Sequence, residues 1–236
     1  MPLFFSSVMK IKSFLLDIVY TKRCKYCRRV IGREKDLCSD CESNLPFITG
    51  KLCNKCGLSK ENCNCTSDIR YYKAVYAPFS YEGAIKKFFS EFKFQGGEYL
   101  SEIMAQDMAE VYNKHIVEYD IDMCVFVPAH PVDKRRRGYN QSELLAKHLC
   151  SIIGLECEDA LVKTRRTASQ HELNRYMRSG NLVGAIELRK TADVKDKRVL
   201  LIDDIKTTGS TLNECTKMLL LGGAADVFCL VGAIKK

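Results

Sequence analysis

Eight of the thirteen cysteines fall between Cys24 and Cys65 as four close pairs: Cys24/Cys27, Cys38/Cys41, Cys53/Cys56 and Cys63/Cys65. A CxxC turn presents two thiolates to one ion, and zinc takes four such ligands in a tetrahedron. Four pairs therefore hold two ions. The sequential grouping gives Cys24, Cys27, Cys38 and Cys41 to one zinc and Cys53, Cys56, Cys63 and Cys65 to the other. An interleaved grouping, first pair with third and second with fourth, is the alternative. Four thiolates leave no open coordination position, so both zinc sites are expected to be structural. The residues between the pairs are too polar to fold by burial alone, and metal has to supply the missing stability.

A second chemistry-bearing stretch is VLLIDDIKTTGST, Val199 to Thr211. Four apolar residues read as the end of a buried strand, with Asp203 and Asp204 at its C-terminal edge, where open parallel sheets bind ligands. Thr207, Thr208, Gly209, Ser210 and Thr211 follow as a tight loop running into a helix. Small residues let backbone N–H groups approach an anion, and a helix N-terminus favours negative charge. Carboxylates hold hydroxyls, or a metal that itself holds phosphate. A ribose 5-phosphate carrying further phosphate meets all of these demands. Two other acidic strand ends fit less well. A Walker B strand needs a GxxxxGK[ST] loop, which is absent. A receiver domain carries its acidic pair near its start, whereas only one strand follows here.

The elements that must position these groups are legible from Tyr71 onward. KAVYAPFSY is strand-like and leads into AIKKFFSEFKF. A helix rich in Glu, Met and Ala runs from Tyr99 to His115. MCVFVPA is a buried-strand run ending at Pro128. DKRRRGYNQ reads as a polar loop, and SELLAKHLCSII as a helix capped by Ser142. A long basic loop and a strand follow, then RVLLIDD as a strand, TLNECTKMLLLGG as a helix closed by a glycine pair, and ADVFCLVGAI as the last strand. Strands alternating with helices predict an α/β domain with a mostly parallel sheet flanked by helices. The expected boundary lies near Asp68, with residues 1–68 as helix plus cysteine module and 69–236 as the sheet domain. At the start of the chain, Phe4, Phe5, Val8, Ile11, Phe14, Leu15, Ile18 and Val19 recur at helical spacing and predict an amphipathic helix.

Charge is uneven. Residues 1–70 carry 13 Lys/Arg against 7 Asp/Glu, a balance of +6, while the remaining residues balance at +2 to complete the total of +8. Lys22, Arg23, Lys25, Arg28, Arg29 and Arg33 cluster on the first ribbon and suit a polyanion, nucleic acid above all. Two zinc ions and eight thiolates together contribute −4, so the metal-filled module falls to about +2 and the local cluster matters more than its net charge. No apolar run reaches the ~20 residues that span a bilayer, and the first twenty residues lack the pattern of a secretory signal. Clustered thiols then imply a cytoplasmic setting, with any contact at the inner membrane face made through partners.

Two acids, two variable residues and TTGxT resemble the phosphoribosyl-diphosphate (PRPP) signature of type I phosphoribosyltransferases. RRRGYNQSELLAKHL, RTASQHELNRYMRSGN and the cysteine ribbons before them resemble the ComF/ComFC family of competence-associated proteins, in which a zinc ribbon is fused to a type I phosphoribosyltransferase-like domain. The resemblance covers nearly the whole chain. It implies that Asp203 and Asp204 contact the ribose hydroxyls and that Thr207 to Thr211 bind the 5-phosphate. It assigns diphosphate with Mg²⁺ to Ala129, His130 and the basic residues after them, Arg135 and Arg137 among them. The loop with Arg165, Arg166, His171, Arg175 and Arg178 matches a flexible catalytic loop and suits DNA phosphates equally well. A role in DNA uptake follows from the resemblance, with single-stranded DNA and a competence helicase as expected partners. No hood for an acceptor base is recognisable, so glycosyl transfer to an unknown acceptor stands beside a non-catalytic, DNA-binding reading.

Overall fold

The computed structural model describes residues 21–63, 65, 69–94, 97–165 and 184–236. The expected helix over Phe4–Val19, and Arg166, His171, Arg175 and Arg178, lie outside them. The chain divides into two compact units, Met1–Leu45 and Pro46–Lys236.

In the first unit, Arg23 and Val30 form an antiparallel bridge that closes a knuckle around Cys24 and Cys27. Cys24 N–H donates to Arg29 O at 2.8 Å and Arg28 N–H to Cys24 O at 3.1 Å. Helix α1, Ser39–Asn44, follows, and the Cys38 sulfur accepts from Cys41 N–H at its start.

The same knuckle recurs at the head of the second unit. Leu52 bridges Ser59, Cys53 N–H donates to Leu58 O at 2.8 Å, and Gly57 N–H donates to Cys53 O at 2.7 Å. The residue that closes each knuckle is left-handed: Arg28 at φ 61° and Gly57 at φ 80°. The second cysteine set packs with the sheet, because Leu58 belongs to the sheet's hydrophobic core.

The rest of the second unit is built on a parallel sheet. Its strands are β1 (Ala74–Tyr76), β2 (Phe79–Ser80), β3 (Met123–Phe126), β4 (Cys157–Glu158), β7 (Arg198–Lys206) and β8 (Asp226–Ile234). They run in the order β1-β8-β7-β3-β4, with β2 also on β8 and every pairing parallel. Both faces are covered, which is why MCVF and VFCLVGAI are continuously apolar and buried. β5 (Leu161–Lys163) and β6 (Ile186–Leu188) form a separate antiparallel pair.

Helices α2 (Gly83–Phe94), α3 (Gly97–His115), α4 (Pro131–Arg137), α5 (Gln141–Ile153) and α6 (Ser210–Leu221) complete the unit. Leu212, Cys215 and Leu219 of α6 join Val199, Leu201, Cys229 and Val231 in one core cluster. Gly232 is fixed by its neighbours: a Cβ there would stand 2.5 Å from Phe89 Cζ and 3.2 Å from Met104 Cγ.

Three local expectations change. DKRRRGYNQ is largely helical, since Pro131 opens α4 with φ already set, the His130 ring caps it, and Gly138 ends it at φ 85°. Helix α5 is capped by Asn140 rather than Ser142, which lies inside its first turn. Strand β7 runs on through the acid pair to Lys206, and Ser210 and Thr211 belong to α6.

Candidate functional site

The carboxyl ends of β7 and β3 are neighbours, joined in register from Met123↔Val199 to Phe126↔Ile202. The residues that follow β3 therefore lie beside the part of β7 that continues past Ile202. The acid pair lies within β7, directly after the last residue paired with β3, and the Thr207–Thr211 turn follows the strand; after β3 come Val127 to His130.

Asp203 is buried at 8% exposure. Its Oδ1 accepts from Ser142 Oγ at 2.8 Å and from Asp204 N–H at 2.9 Å. Burial, then the charge of Asp204, pushes Asp203 up to about 7, against the hydrogen bonds from Ser142 and Asp204 N–H and the charge of Lys93. Asp204 is half-buried, and its Oδ1 accepts from Ile205 N–H at 2.6 Å. Two acids side by side in a low-dielectric corner repel, which suits them to ligand hydroxyls or to a bound cation.

The turn after β7 has the geometry of an anion cradle. Gly209 sits at φ 80°, ψ 4° as the N-cap of α6, with no side chain to cap the helix. A helix start without a cap from that residue suits an anion at the first-turn N–H groups beyond Ser210. Thr208 Oγ1 takes Ser210 N–H at 3.3 Å and meets Ser210 Oγ at 2.9 Å, which closes the turn. Asn213 N–H returns to Gly209 O at 2.9 Å.

The loop after β3 is tied to the same centre. Val127 N–H donates to Ile202 O at 2.9 Å, and Asn140 Nδ2 donates to Val127 O at 3.0 Å. Asn140 Oδ1 accepts from Ser142 N–H, and Ser142 Oγ reaches Asp203. One chain of hydrogen bonds therefore runs from the β3 loop to the acid pair. Sequence reading passed over Asn140 and Ser142 as site residues; the Asn-x-Ser spacing before an apolar helical run was the available signal.

The expected diphosphate residues fare unevenly. Ala129 lines a cavity of about 560 Å³, as do Arg135, Lys134, Lys163 and Arg189. His130 spends its Nδ1 on Val132 N–H. Arg137 donates to Gln141 Oε1 at 3.1 Å, while Arg137 Nε and Gln141 Nε2 are buried and have no hydrogen-bond partner among the described residues. Lys134 pairs with Glu143 at 2.8 Å and Arg189 with Asp159 at 3.0 Å. Lys163, at the end of β5, was not anticipated. Burial lowers its pKa, opposed by the charges of Asp133, Cys215 and Asp203.

The eight cysteines form the two sequential groups. In each, four sulfurs lie within 4.8 Å of one another: Cys24, Cys27, Cys38, Cys41 and Cys53, Cys56, Cys63, Cys65. Cys27 and Cys38 sulfurs are 3.5 Å apart, Cys53 and Cys65 sulfurs 3.7 Å. A tetrahedron with Zn–S of about 2.3 Å has edges of about 3.8 Å, so both groups fit zinc. Burial alone would raise these thiols. Backbone N–H groups reverse this for the leading cysteine of each set, holding Cys24 at about 6 and Cys53 at about 7.

Comparison with known proteins agrees with this geometry. Residues 15–70 match the family model described as a double zinc ribbon domain, and residues 138–233 match a phosphoribosyl transferase domain. The chain is 34% identical to Competence protein ComFC of Streptococcus pneumoniae over 81% of its length and 84% of that protein.

The chain belongs to the ComF/ComFC family.

DNA utilization protein YhgH of Escherichia coli is 30% identical over 88% of each chain. Competence protein F of Haemophilus influenzae is 27% identical over 87% of this chain and 93% of its own. The ComF/ComFC chain thus carries a double zinc ribbon with two Cys₄ sites and a type I phosphoribosyltransferase-like parallel sheet. Among its described residues, no helix is long and apolar enough to cross a membrane.

Proposed function

We propose that this ComF-family chain binds PRPP with Mg²⁺ at the ends of β7 and β3, and that it serves DNA uptake. The observation that carries the reading is the left-handed, uncapped Gly209 turn, preceded by an acid pair tied through Ser142 and Asn140 to the β3 loop. Thr207 to Thr211 hold the 5-phosphate through backbone N–H groups and hydroxyls. Asp203 and Asp204 take the ribose hydroxyls. Ala129 and His130 backbone, Arg135 and Arg137 face the diphosphate, whose charge Mg²⁺ shares. The metal's contribution is to neutralise the leaving diphosphate.

Glycosyl transfer to an acceptor is the further part of this proposal. The ribosyl carbon passes through an oxocarbenium-like state, which asks of the protein positioning and charge rather than a covalent nucleophile. Asp203, once ionised, fixes the ring by its hydroxyls. Ala129 and Arg135 line one cavity with Lys163 and Arg189, which supports diphosphate there.

Titration calorimetry of zinc-loaded protein with PRPP and Mg²⁺ tests the binding; no heat of association on folded protein removes it. Diphosphate release in the presence of mixed bases tests the transfer, and loss of that turnover in Asp203→Asn plus Asp204→Asn supports it. Binding without turnover favours the second reading, a single-stranded DNA-binding partner of a helicase that uses the site as a ligand sensor or keeps it as a remnant. What favours that reading is the first ribbon, where Arg23, Arg28, Arg29 and Arg33 share one small unit. Lys22 and Lys25, of the same unit, both pair with Asp36 at 3.0 Å.

A further inference from the structure

The second Cys₄ site stands against the phosphate turn. Tyr72, 4% exposed, donates its hydroxyl to Lys55 O at 3.0 Å. Lys55 lies inside the Cys53–Cys56 knuckle. The same hydroxyl is 3.4 Å from where a Cβ on Gly209 would sit, so one atom is bonded to the knuckle and closes off the side-chain space of the left-handed residue in the phosphate turn. Arg70 Nη2 donates to Thr208 O at 3.3 Å, and Tyr71 N–H donates to Asn213 Oδ1 at 2.8 Å. Three consecutive residues, 70 to 72, thus grip the turn and the first helical turn behind it.

The knuckle is equally fixed on its other side. Val75 N–H of β1 donates to Asn54 O at 3.0 Å. Gly57 has no spare space: a Cβ there would meet Ile234 Cδ1 at 2.5 Å and Val75 O at 2.8 Å. Leu58 is the knuckle residue fully within the core. A segment this polar keeps its shape only while its thiolates are held by a metal.

Charge points the same way. Lys206, 6% exposed, has its Cε 3.2 Å from the Gly209 Cβ position, and Cys56 and Cys65 are the first anionic groups in its surroundings. Zn²⁺ with four thiolates carries a net −2, which offsets the buried ammonium and the neighbouring Arg70.

We propose that the second Cys₄ site is the strut of the phosphate turn: Tyr72 and Arg70 transmit the metal-fixed shape of the Cys53–Cys56 knuckle to residues 206–213. Tyr72 and Arg70 are positioning residues that act through Gly209 and Thr208. The ligand arm of the test rests on the proposed PRPP binding; the structural arm does not.

The experiment uses the full chain, zinc-loaded, as wild type, Tyr72→Phe, Arg70→Ala, Cys56→Ser/Cys65→Ser, and Cys24→Ser/Cys27→Ser. Amide hydrogen exchange is followed at 207–211 and in β7 and β8, and PRPP–Mg²⁺ affinity is measured by calorimetry. Emptying the second site is expected to speed exchange at 207–211 at least about tenfold while β7 and β8 stay protected. Tyr72→Phe and Arg70→Ala each do so to a smaller extent and raise the Kd about fivefold, as the loss of one partly buried hydrogen bond would. Emptying the first site leaves the turn within about twofold of wild type. Unchanged exchange at 207–211 in the second-site variant overturns the proposal. If that variant loses β7 and β8 protection altogether, Tyr72→Phe and Arg70→Ala decide: wild-type exchange and affinity in both overturn it. Wild-type protein that fails to bind PRPP removes the ligand assignment, while the exchange arm still judges the strut.

Discussion

Asp203→Asn is expected to make the ligand-free protein less sensitive to rising pH while weakening its hold on PRPP. Asp203 is buried against Ser142, with Asp204 beside it and Lys93 and Lys163 as the nearby cations, and its pKa is raised to about 7. The unfolded carboxyl titrates near 3.8. A raised folded pKa means that the folded state binds the proton more tightly, so its contribution to stability is lost as pH climbs from about 4 to 7 and beyond. Above pH 6 the unfolded chain has already released this proton. Integrating the protons still bound by the folded state from pH 6 to 8.5 gives about one pH unit, or about 1.4 kcal/mol of lost stability. Asparagine keeps the acceptor for Ser142 and Asp204 N–H but cannot ionise, so the variant lacks this loss. The assay is urea unfolding of zinc-loaded wild type and variant at pH 6.0, 7.0 and 8.5. The cysteines and every other titrating group are common to both and cancel in the difference. Wild type should fall relative to the variant by about 1.4 kcal/mol across the range. Parallel curves, differing by less than about 0.5 kcal/mol in slope over that interval, refute the buried-charge argument. The same proton has to leave before Asp203 accepts ribose hydroxyls, so wild-type PRPP affinity should rise about tenfold between pH 6 and 8.

Gly209→Ala places a Cβ at φ 80°, 3.2 Å from Lys206 Cε and 3.4 Å from the Tyr72 hydroxyl. It should cost about 1–2 kcal/mol in unfolding free energy and weaken PRPP binding at least tenfold by calorimetry. Metal analysis should find two zinc ions per chain, falling to one in Cys24→Ser/Cys27→Ser; one ion in the wild type would mean that a Cys₄ group was misread. Charge reversal at Arg28 and Arg29 should weaken single-stranded DNA binding and flatten its salt dependence. Unchanged affinity in a fluorescence titration rejects the ribbon as the contact surface.

Residue type and local spacing determined a great deal by themselves. Three CxxC pairs and the tighter CNC pair identified two zinc sites because the geometry of such a pair is set within one turn. IDDIKTTGST identified the acid pair and the glycine turn because strand, small loop and helix N-terminus are contiguous in sequence. Continuous apolar runs at MCVF and VFCLVGAI identified buried parallel strands. Helix α4 was hidden: Lys134 to Arg137 look solvated, and its helicity comes from Pro131, the His130 cap and Gly138 rather than from an apolar stripe. What only tertiary structure decided is long-range. Ser142 reaches Asp203 across 61 residues, and Arg70 reaches Thr208 across 138. Neither partner carries a local pattern for the other, because a hydrogen bond needs only proximity, which the parallel crossovers of the sheet create. For the same reason the second cysteine set belongs with the sheet: Leu58, Gly57 and Tyr72 look like loop residues in sequence and become a packed floor only when β1, β8 and the Gly209 turn close over them.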